Sequence, residues 1–127
     1  MGWEFIVPNL PVRDVRAAQR WYRDMLGFDI HWIWEDNFGS VGLDHVEFFL
    51  YESDDPRPAV CSIFVDDVEA VYASCRERGA EIVAELELKP WKVREFSVRD
   101  PGGNILRIGR GEEPVDRVEQ FTLGVAQ

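Results

Sequence analysis

Few side chains in this sequence could carry metal or acid–base chemistry, and they lie far apart along the chain. His45 and Glu47 are two residues apart on a predicted strand, so they share one strand face and could supply two ligands to a metal ion. Two ligands are fewer than a typical protein metal site uses. His31, beside Trp32 on another predicted strand, is interpreted as a surface or packing residue. These residues alone do not predict a metal site.

Nucleophilic side chains are present, but no sequence context activates them. Ser40, Ser62 and Ser97 have no evident base, and the chain has neither a nucleophile-elbow motif nor a glycine-rich phosphate loop. Cys61 and Cys75 fall at apolar positions of a predicted strand and a predicted helix. We therefore expect buried, reduced thiols, which are typical of a cytoplasmic protein.

The chain is rich in aromatic residues, and two of them lie beside predicted turns. The five tryptophans among 127 residues are more than a core of this size needs. Trp91 follows a Lys-Pro turn, and Phe38 follows an acidic turn that contains Glu35 and Asp36. Aromatic rings next to turns are more easily exposed, and the alternative for both rings is core packing. The acidic turn could hold a positive group, although such turns are commonly only solvated.

The composition limits the partners of this chain. Its formal net charge of −10 repels nucleic acid and anionic lipid and attracts cations, although acidity can also serve only to keep a protein in solution. No apolar run of about eighteen residues predicts a membrane span, and no signal-peptide pattern opens the chain. We expect one cytoplasmic domain that binds neither nucleic acid nor membranes.

The elements that would position these residues occur twice. A helix is expected between Asp14 and Gly27, and another between Asp67 and Gly79. Aspartate is a favoured N-cap, and glycine is favoured just after the last helical turn. Each half reads as one strand, one helix and three further strands. The repeat predicts an α+β fold of two β-α-β-β-β modules.

The module boundaries follow from this repeat. Module one covers residues 3–52, a linker 53–58, module two 59–109, and a tail over 110–127 is expected to pack on a partner. The predicted helices cover residues 16–26 and 69–78, and strands are predicted over 5–12, 28–35, 38–43, 46–52, 80–88 and 104–109. Two curled four-stranded sheets leave a concave face that a ligand, a metal or another chain must fill.

The repeated modules, Asp-Val at both helix starts and Arg-Asp-Pro-Gly-Gly-Asn at residues 99–104 resemble the vicinal oxygen chelate superfamily. That superfamily includes glyoxalase I, extradiol dioxygenases, fosfomycin-modifying enzymes and bleomycin-resistance proteins. The resemblance covers about residues 3–109. It is closest to the bleomycin-resistance proteins, through residues 13–15, 26–28, 35–38, 90–91, 94–96 and 99–101. It implies a homodimer with two ligand clefts at the subunit interface and no chemistry on the ligand.

The resemblance also places four metal-ligand positions of the superfamily's enzymes, at Val7, Glu47, Val60 and Arg107. Only Glu47 can bind a metal, because valine has no donor atom and the arginine guanidinium stays protonated. We therefore expect no metal and no other cofactor. Glu47 and Arg107 are both expected to point into the concave face and to form an ion pair. The alternatives are that each faces water, or that Glu47 contacts a cationic ligand directly.

Phe38 and Trp91 match the aromatic pair that stacks on the heteroaromatic tail of the antibiotic in the bleomycin-resistance proteins. Such a stack contributes about 0.5–1.5 kcal/mol beyond area burial. Phe49 and Tyr51 lie on the Glu47 face of their predicted strand and are expected to line the same cleft. Trp32 is a further candidate. The bleomycin-resistance proteins that this chain resembles have smaller residues at the positions of Trp32 and Tyr51. We therefore expect a narrower cleft in this chain.

We predict a protein that binds and sequesters a cationic aromatic small molecule of the bleomycin type without a metal. The predicted ligand contacts are Phe38, Trp91, Glu47, Phe49, Tyr51, Arg107 and Trp32. One alternative is a metal-dependent lyase or dioxygenase of the glyoxalase type, using His45 and Glu47 with residues of a partner chain. The other is an interaction domain without a small ligand.

Overall fold

A computed structural model describes residues 2–112, and within this range the chain forms eight strands and two helices. The elements in chain order are β1 (Asn9–Val12), α1 (Val15–Leu26), β2 (Asp29–Trp34), β3 (Phe38–Leu43), β4 (Val46–Glu52), β5 (Val60–Phe64), α2 (Val68–Arg78), β6 (Glu81–Leu88), β7 (Val93–Arg99) and β8 (Ile105–Gly111). No helix in the described range is both long and apolar enough to cross a membrane.

The strands form two sheets with the same internal order. Sheet A has the order β1-β4-β3-β2, and sheet B has the order β5-β8-β7-β6. In each sheet the first strand pairs in parallel with its neighbour and the other pairs are antiparallel. The helices pack on one side of the sheets, which leaves the other side of each sheet open. The predicted α+β fold of two β-α-β-β-β modules is confirmed.

The helix ends follow the predicted capping. The Asp14 carboxylate accepts a hydrogen bond from the Ala17 amide at 3.0 Å, and the Asp67 carboxylate accepts one from the Ala70 amide at 3.1 Å. Each bond satisfies one of the amides that a helix N-terminus leaves without a partner. Gly27, with φ 74°, closes α1 in the left-handed conformation that glycine adopts without strain.

A buried polar network joins the two modules. The Tyr22 hydroxyl of α1 donates to the Asp100 carboxylate at 2.6 Å, across 78 residues of sequence. Asp100 also accepts hydrogen bonds from the amides of Gly102 and Asn104 and from the Asn104 side chain. Asn104 in turn donates to the Pro11 carbonyl at 2.9 Å. Burial, followed by the negative charge of Asp100, raises the pKa of Tyr22 well above its ordinary value of 10.0.

The turn after β7 fits closely against β1. A Cβ atom on Gly102 would lie 2.2 Å from the Pro11 carbonyl oxygen, a distance that no side chain can occupy. The Asp-Pro-Gly-Gly-Asn motif therefore closes a hairpin and also allows the second module to approach the first.

The first strand is shorter than the sequence predicts. β1 begins at Asn9, although a strand is predicted over residues 5–12. The missing amide hydrogen of Pro8 interrupts strand pairing at its start, and β1 lies at the edge of sheet A as its two prolines predict. At the other end, β8 includes Arg110 and Gly111, which the sequence assigns to the tail. The rest of the predicted tail, from residue 113, lies outside the described residues.

A β-bulge in β2 separates the side chains on its helix side from the tryptophans on its open side. Ile30 pairs with Val41, whose side chain is buried, whereas Trp32 pairs with Ser40 on the opposite side of β3. The bulge lies between Ile30 and Trp32, where an extra residue reverses the alternation of side chains. The sequence pattern puts the even-numbered residues from 28 to 34 on one face. The bulge instead turns Trp32 and Trp34 to the open side of sheet A.

Candidate ligand-binding site

The open side of sheet A carries a cluster of aromatic rings. Trp32, Phe38 and Phe49 contact one another with ring centroids 5.2–5.4 Å apart and interplanar angles of 60–75°. These edge-to-face contacts fix the three rings relative to one another. Tyr51 pairs with Phe38 across β3 and β4 and is 40% exposed. We call Trp32, Phe38, Phe49 and Tyr51 the aromatic face.

An apolar cavity of about 550 Å³ lies along one edge of the aromatic face. Its lining residues are Trp32, Ile33, Trp34 and Phe38. Trp34 is 62% exposed, a large apolar surface for a ring to present to water. Trp34 is not among the predicted ligand contacts. Trp34 pairs with Phe38 across the β2–β3 hairpin, and this pairing could have predicted that both rings line the same site.

Glu47 lies on the same side of sheet A as the aromatic face. The Ser40 hydroxyl donates to the Glu47 carboxylate at 2.5 Å, and His31 Nδ1 lies 3.4 Å from the same oxygen. Glu47 is thus the negative group beside the rings. The neighbouring histidine is His31 and not His45, which lies in the β3–β4 turn and lines a separate cavity with Phe28 and Ile63. His31 is predicted as a surface or packing residue, and its side chain is 41% exposed beside Glu47.

The predicted ion pair between Glu47 and Arg107 does not form within one chain. Arg107 lies on β8 in sheet B, and its guanidinium donates to the Glu95 carboxylate at 2.7 Å. The two residues of the expected pair lie on different sheets, and each has a partner on its own sheet. Glu95, which is only 5% exposed, is not among the predicted site residues. Glu95 lies two residues before Ser97, which is opposite Arg107 in the β7–β8 hairpin. This spacing puts Glu95 and Arg107 on one side of the sheet and could have predicted their contact.

Trp91 lies on sheet B next to Arg107. It occupies the turn between β6 and β7, which the Lys92 amide closes with a bond to the Lys89 carbonyl at 2.9 Å. The Trp91 ring is 53% exposed, as its place in a turn predicts, and the Arg107 guanidinium lies 5.6 Å from the ring centroid. This is a cation–π contact. A single chain therefore carries two groups, the aromatic face with Glu47 on sheet A, and Trp91 with Arg107 on sheet B.

The four positions that the resemblance assigns to metal ligands do not fit a metal ion. Val7 and Val60 offer no donor atom, and Arg107 adds a positive charge held by Glu95. Over residues 2–112, no three histidine, cysteine or acidic side chains converge on one point. Glu47 with His31 makes a pair of donors at most.

A family model matches residues 5–108, which is most of the chain, and its description reads Glyoxalase/Bleomycin resistance protein/Dioxygenase superfamily. The chain belongs to the glyoxalase/bleomycin resistance protein/dioxygenase superfamily. Curated relatives within this superfamily include bleomycin resistance proteins of Geobacillus stearothermophilus and Staphylococcus aureus. Each is 27% identical over 123 residues, covering 79% of this chain and 91% of the relative.

Solved structures of the superfamily share this fold. The bleomycin resistance determinant encoded on transposon Tn5 is 22% identical with a TM-score of 0.76, covering 87% of this chain and 100% of that one. The bleomycin-binding protein of Streptomyces verticillus, solved with copper(II)-bleomycin, is 24% identical with a TM-score of 0.73, covering 88% and 99%. A lactoylglutathione lyase of Agrobacterium tumefaciens is 16% identical with a TM-score of 0.72, covering 87% and 96%. Binding proteins and an enzyme thus have the same architecture, so the fold does not decide between these functions.

Proposed function

We propose that this protein binds and sequesters a cationic, aromatic small molecule of the bleomycin type and does no chemistry on it. The observation that carries the proposal is the aromatic face, a set of mutually packed rings left partly exposed beside the negative Glu47. Rings of this size are normally buried in a core, and an exposed apolar patch of this kind marks an interaction site. The names of the curated relatives support the same ligand class.

The charge of the chain favours a cationic ligand. The net charge of −10 creates a negative field around the whole chain, which raises the local concentration of cations. Close to the rings, Glu47 supplies a fixed negative group, and Asp36 and Glu35 precede Phe38 in the adjoining turn. A flat cation can therefore stack on the aromatic face and keep its charge near a carboxylate.

We propose that two chains assemble as a homodimer, so that the aromatic face of one lies opposite Trp91 of its partner. Exposed apolar side chains support a second copy as the occupant of these surfaces. In the extended segment before β1, Trp3 is 99%, Phe5 78% and Ile6 89% exposed. Val60 and Phe64, on the open side of β5, are 63% and 57% exposed. Light scattering after size exclusion should give twice the chain mass of 14.7 kDa, and a single-chain mass would refute the dimer.

We also propose that the protein acts in the cytoplasm. Both cysteines are free thiols, and that state is typical of a reducing compartment. Burial raises the pKa of Cys75 to about 11, which keeps this thiol protonated and unreactive at neutral pH.

A fluorescence titration with bleomycin tests the proposal. Trp91→Ala and Phe38→Ala should each weaken binding about tenfold or more, because each removes one stacking surface together with its buried area. Leu88→Ala is the matched control, since Leu88 is 50% exposed on β6 but lies on the helix side of sheet B. Far-UV circular dichroism verifies that each variant is folded. Unchanged affinity in both aromatic variants would refute the proposed site.

A further inference from the structure

Three polar side chains form one row across the open side of sheet B. Arg107 on β8 is directly opposite Ser97 on β7 and directly opposite Ser62 on β5. Residues in register on neighbouring strands point to the same side of a sheet, so the Arg107 side chain leaves the sheet between those of Ser62 and Ser97. The adjoining residues Ile63 and Ile108 are buried in the core, which places this row on the opposite, open side.

The guanidinium in this row is held in place. Glu95 accepts its hydrogen bond from one side, and the Trp91 ring lies against it at 5.6 Å. Gly109 makes this arrangement possible, because a Cβ atom at that position would come within 2.9 Å of the Glu95 side chain and 2.8 Å of Val93. A pre-oriented guanidinium loses little rotamer freedom when it binds a ligand.

The local charge of this row differs from that of the chain as a whole. Glu95 is 5% exposed and presents almost no surface to a ligand, whereas the Arg107 side chain is 37% exposed. Lys92, in the turn that carries Trp91, is also exposed. A guanidinium has five N–H donors, and its bond to Glu95 uses one nitrogen. The remaining N–H donors can bind an oxyanion, and the exposed Ser62 supplies a neighbouring hydroxyl.

We propose that Arg107, with Ser62 beside it on β5, forms an oxyanion-binding subsite, which takes a carboxylate, sulfonate or phosphate group of a ligand whose ring lies on Trp91. This inference rests on the proposed function and refines it. The ligand carries a negative group at its sheet B end and a positive group near Glu47. Arg107 therefore selects against ligands that bring a second cation to Trp91.

The test uses two small probes with one ring system and opposite charges, 2-naphthoate and 2-naphthylmethylammonium. Calorimetry gives their affinities, and the indole N–H signal of Trp91 in ¹⁵N NMR, assigned with Trp91→Phe, reports where they bind. We expect 2-naphthoate to bind at least about fivefold more tightly and to shift the Trp91 signal. Equal affinities, preference for the cation, or no binding of either probe would overturn the subsite.

Two variants locate the preference. Arg107→Met alone would leave Glu95 buried without a partner, so it is combined with Glu95→Gln, and this double variant should lose the preference for 2-naphthoate. Ser62→Ala, at an exposed position, should weaken 2-naphthoate by about threefold and leave the cation unchanged. A preference that survives the double variant would refute the role of Arg107. Titration of the same proteins with bleomycin separates the two proposals. If bleomycin does not bind but the Arg107-dependent preference for 2-naphthoate remains, only the proposed function is overturned.

Discussion

Replacement of Tyr22 by phenylalanine tests the buried network that joins the two modules. The substitution keeps the ring, which contacts Phe28 and Phe48, and removes only the hydroxyl that donates to Asp100 at 2.6 Å. A hydrogen bond to a charged acceptor contributes about 1.5–3 kcal/mol. Asp100 keeps three other donors after the change, so the carboxylate is not left without partners. We therefore expect Tyr22→Phe to lower the free energy of unfolding by about 1.5–3 kcal/mol.

The same variant changes how stability depends on pH. The pKa of Tyr22 is raised in the folded protein, so its hydroxyl stabilises the fold fully below the unfolded-state pKa of about 10 and loses that contribution as the pH rises further. Tyr22→Phe should remove this part of the loss of stability at alkaline pH. Because the pKa of Cys75 is also raised, both the parent and the Tyr22→Phe protein should still lose some stability above about pH 9.

Urea unfolding followed by circular dichroism, at fixed protein concentration and at pH 7 and pH 10.5, measures both effects. Tyr72→Phe is the matched control, because the Tyr72 hydroxyl only accepts a 3.4 Å bond from Arg76 at the surface. We expect the control to change stability by less than about 0.5 kcal/mol. A Tyr22→Phe protein as stable as the parent at pH 7 would refute the account of the network.

The remaining predictions concern a tight turn, the aromatic face and a buried thiol. Gly102→Ala should destabilise the fold by about 1–3 kcal/mol or more in urea unfolding, because its Cβ would clash with the Pro11 carbonyl. Gly79→Ala has open space and a φ of +88°, so it should cost about 1–2 kcal/mol from backbone strain alone. Phe49→Ala should weaken bleomycin about three- to tenfold in the fluorescence titration. Cys75 should react with a maleimide in native protein far more slowly than Cys61, which is less buried, as mass spectrometry of the labelled peptides can measure.

The repeated architecture could be predicted from the sequence because local signals specify it. Asp14 and Asp67 cap helices in any tertiary context, and Gly27 and Gly79 adopt a backbone conformation that other residues avoid. The bounds of β3 and β4 also agree with the prediction, since each is flanked by a turn with polar residues. The resemblance then gave the correct superfamily.

The details of the site depend on features that no local pattern contains. The bulge between Ile30 and Trp32 is an irregularity of strand pairing, and an alternating sequence does not reveal an extra residue in one strand. The partner of Arg107 depends on which strands are neighbours, and β7 brings the Glu95 carboxylate within 2.7 Å of the Arg107 guanidinium. A carboxylate and a guanidinium that belong to different sheets therefore do not pair within this chain.

Calorimetric titration of the purified protein with bleomycin tests the central claim most directly. The account predicts saturable binding with one ligand per chain, and a loss of affinity of about tenfold or more in Trp91→Ala. Absence of binding at high micromolar bleomycin, with a folded protein by circular dichroism, would contradict it.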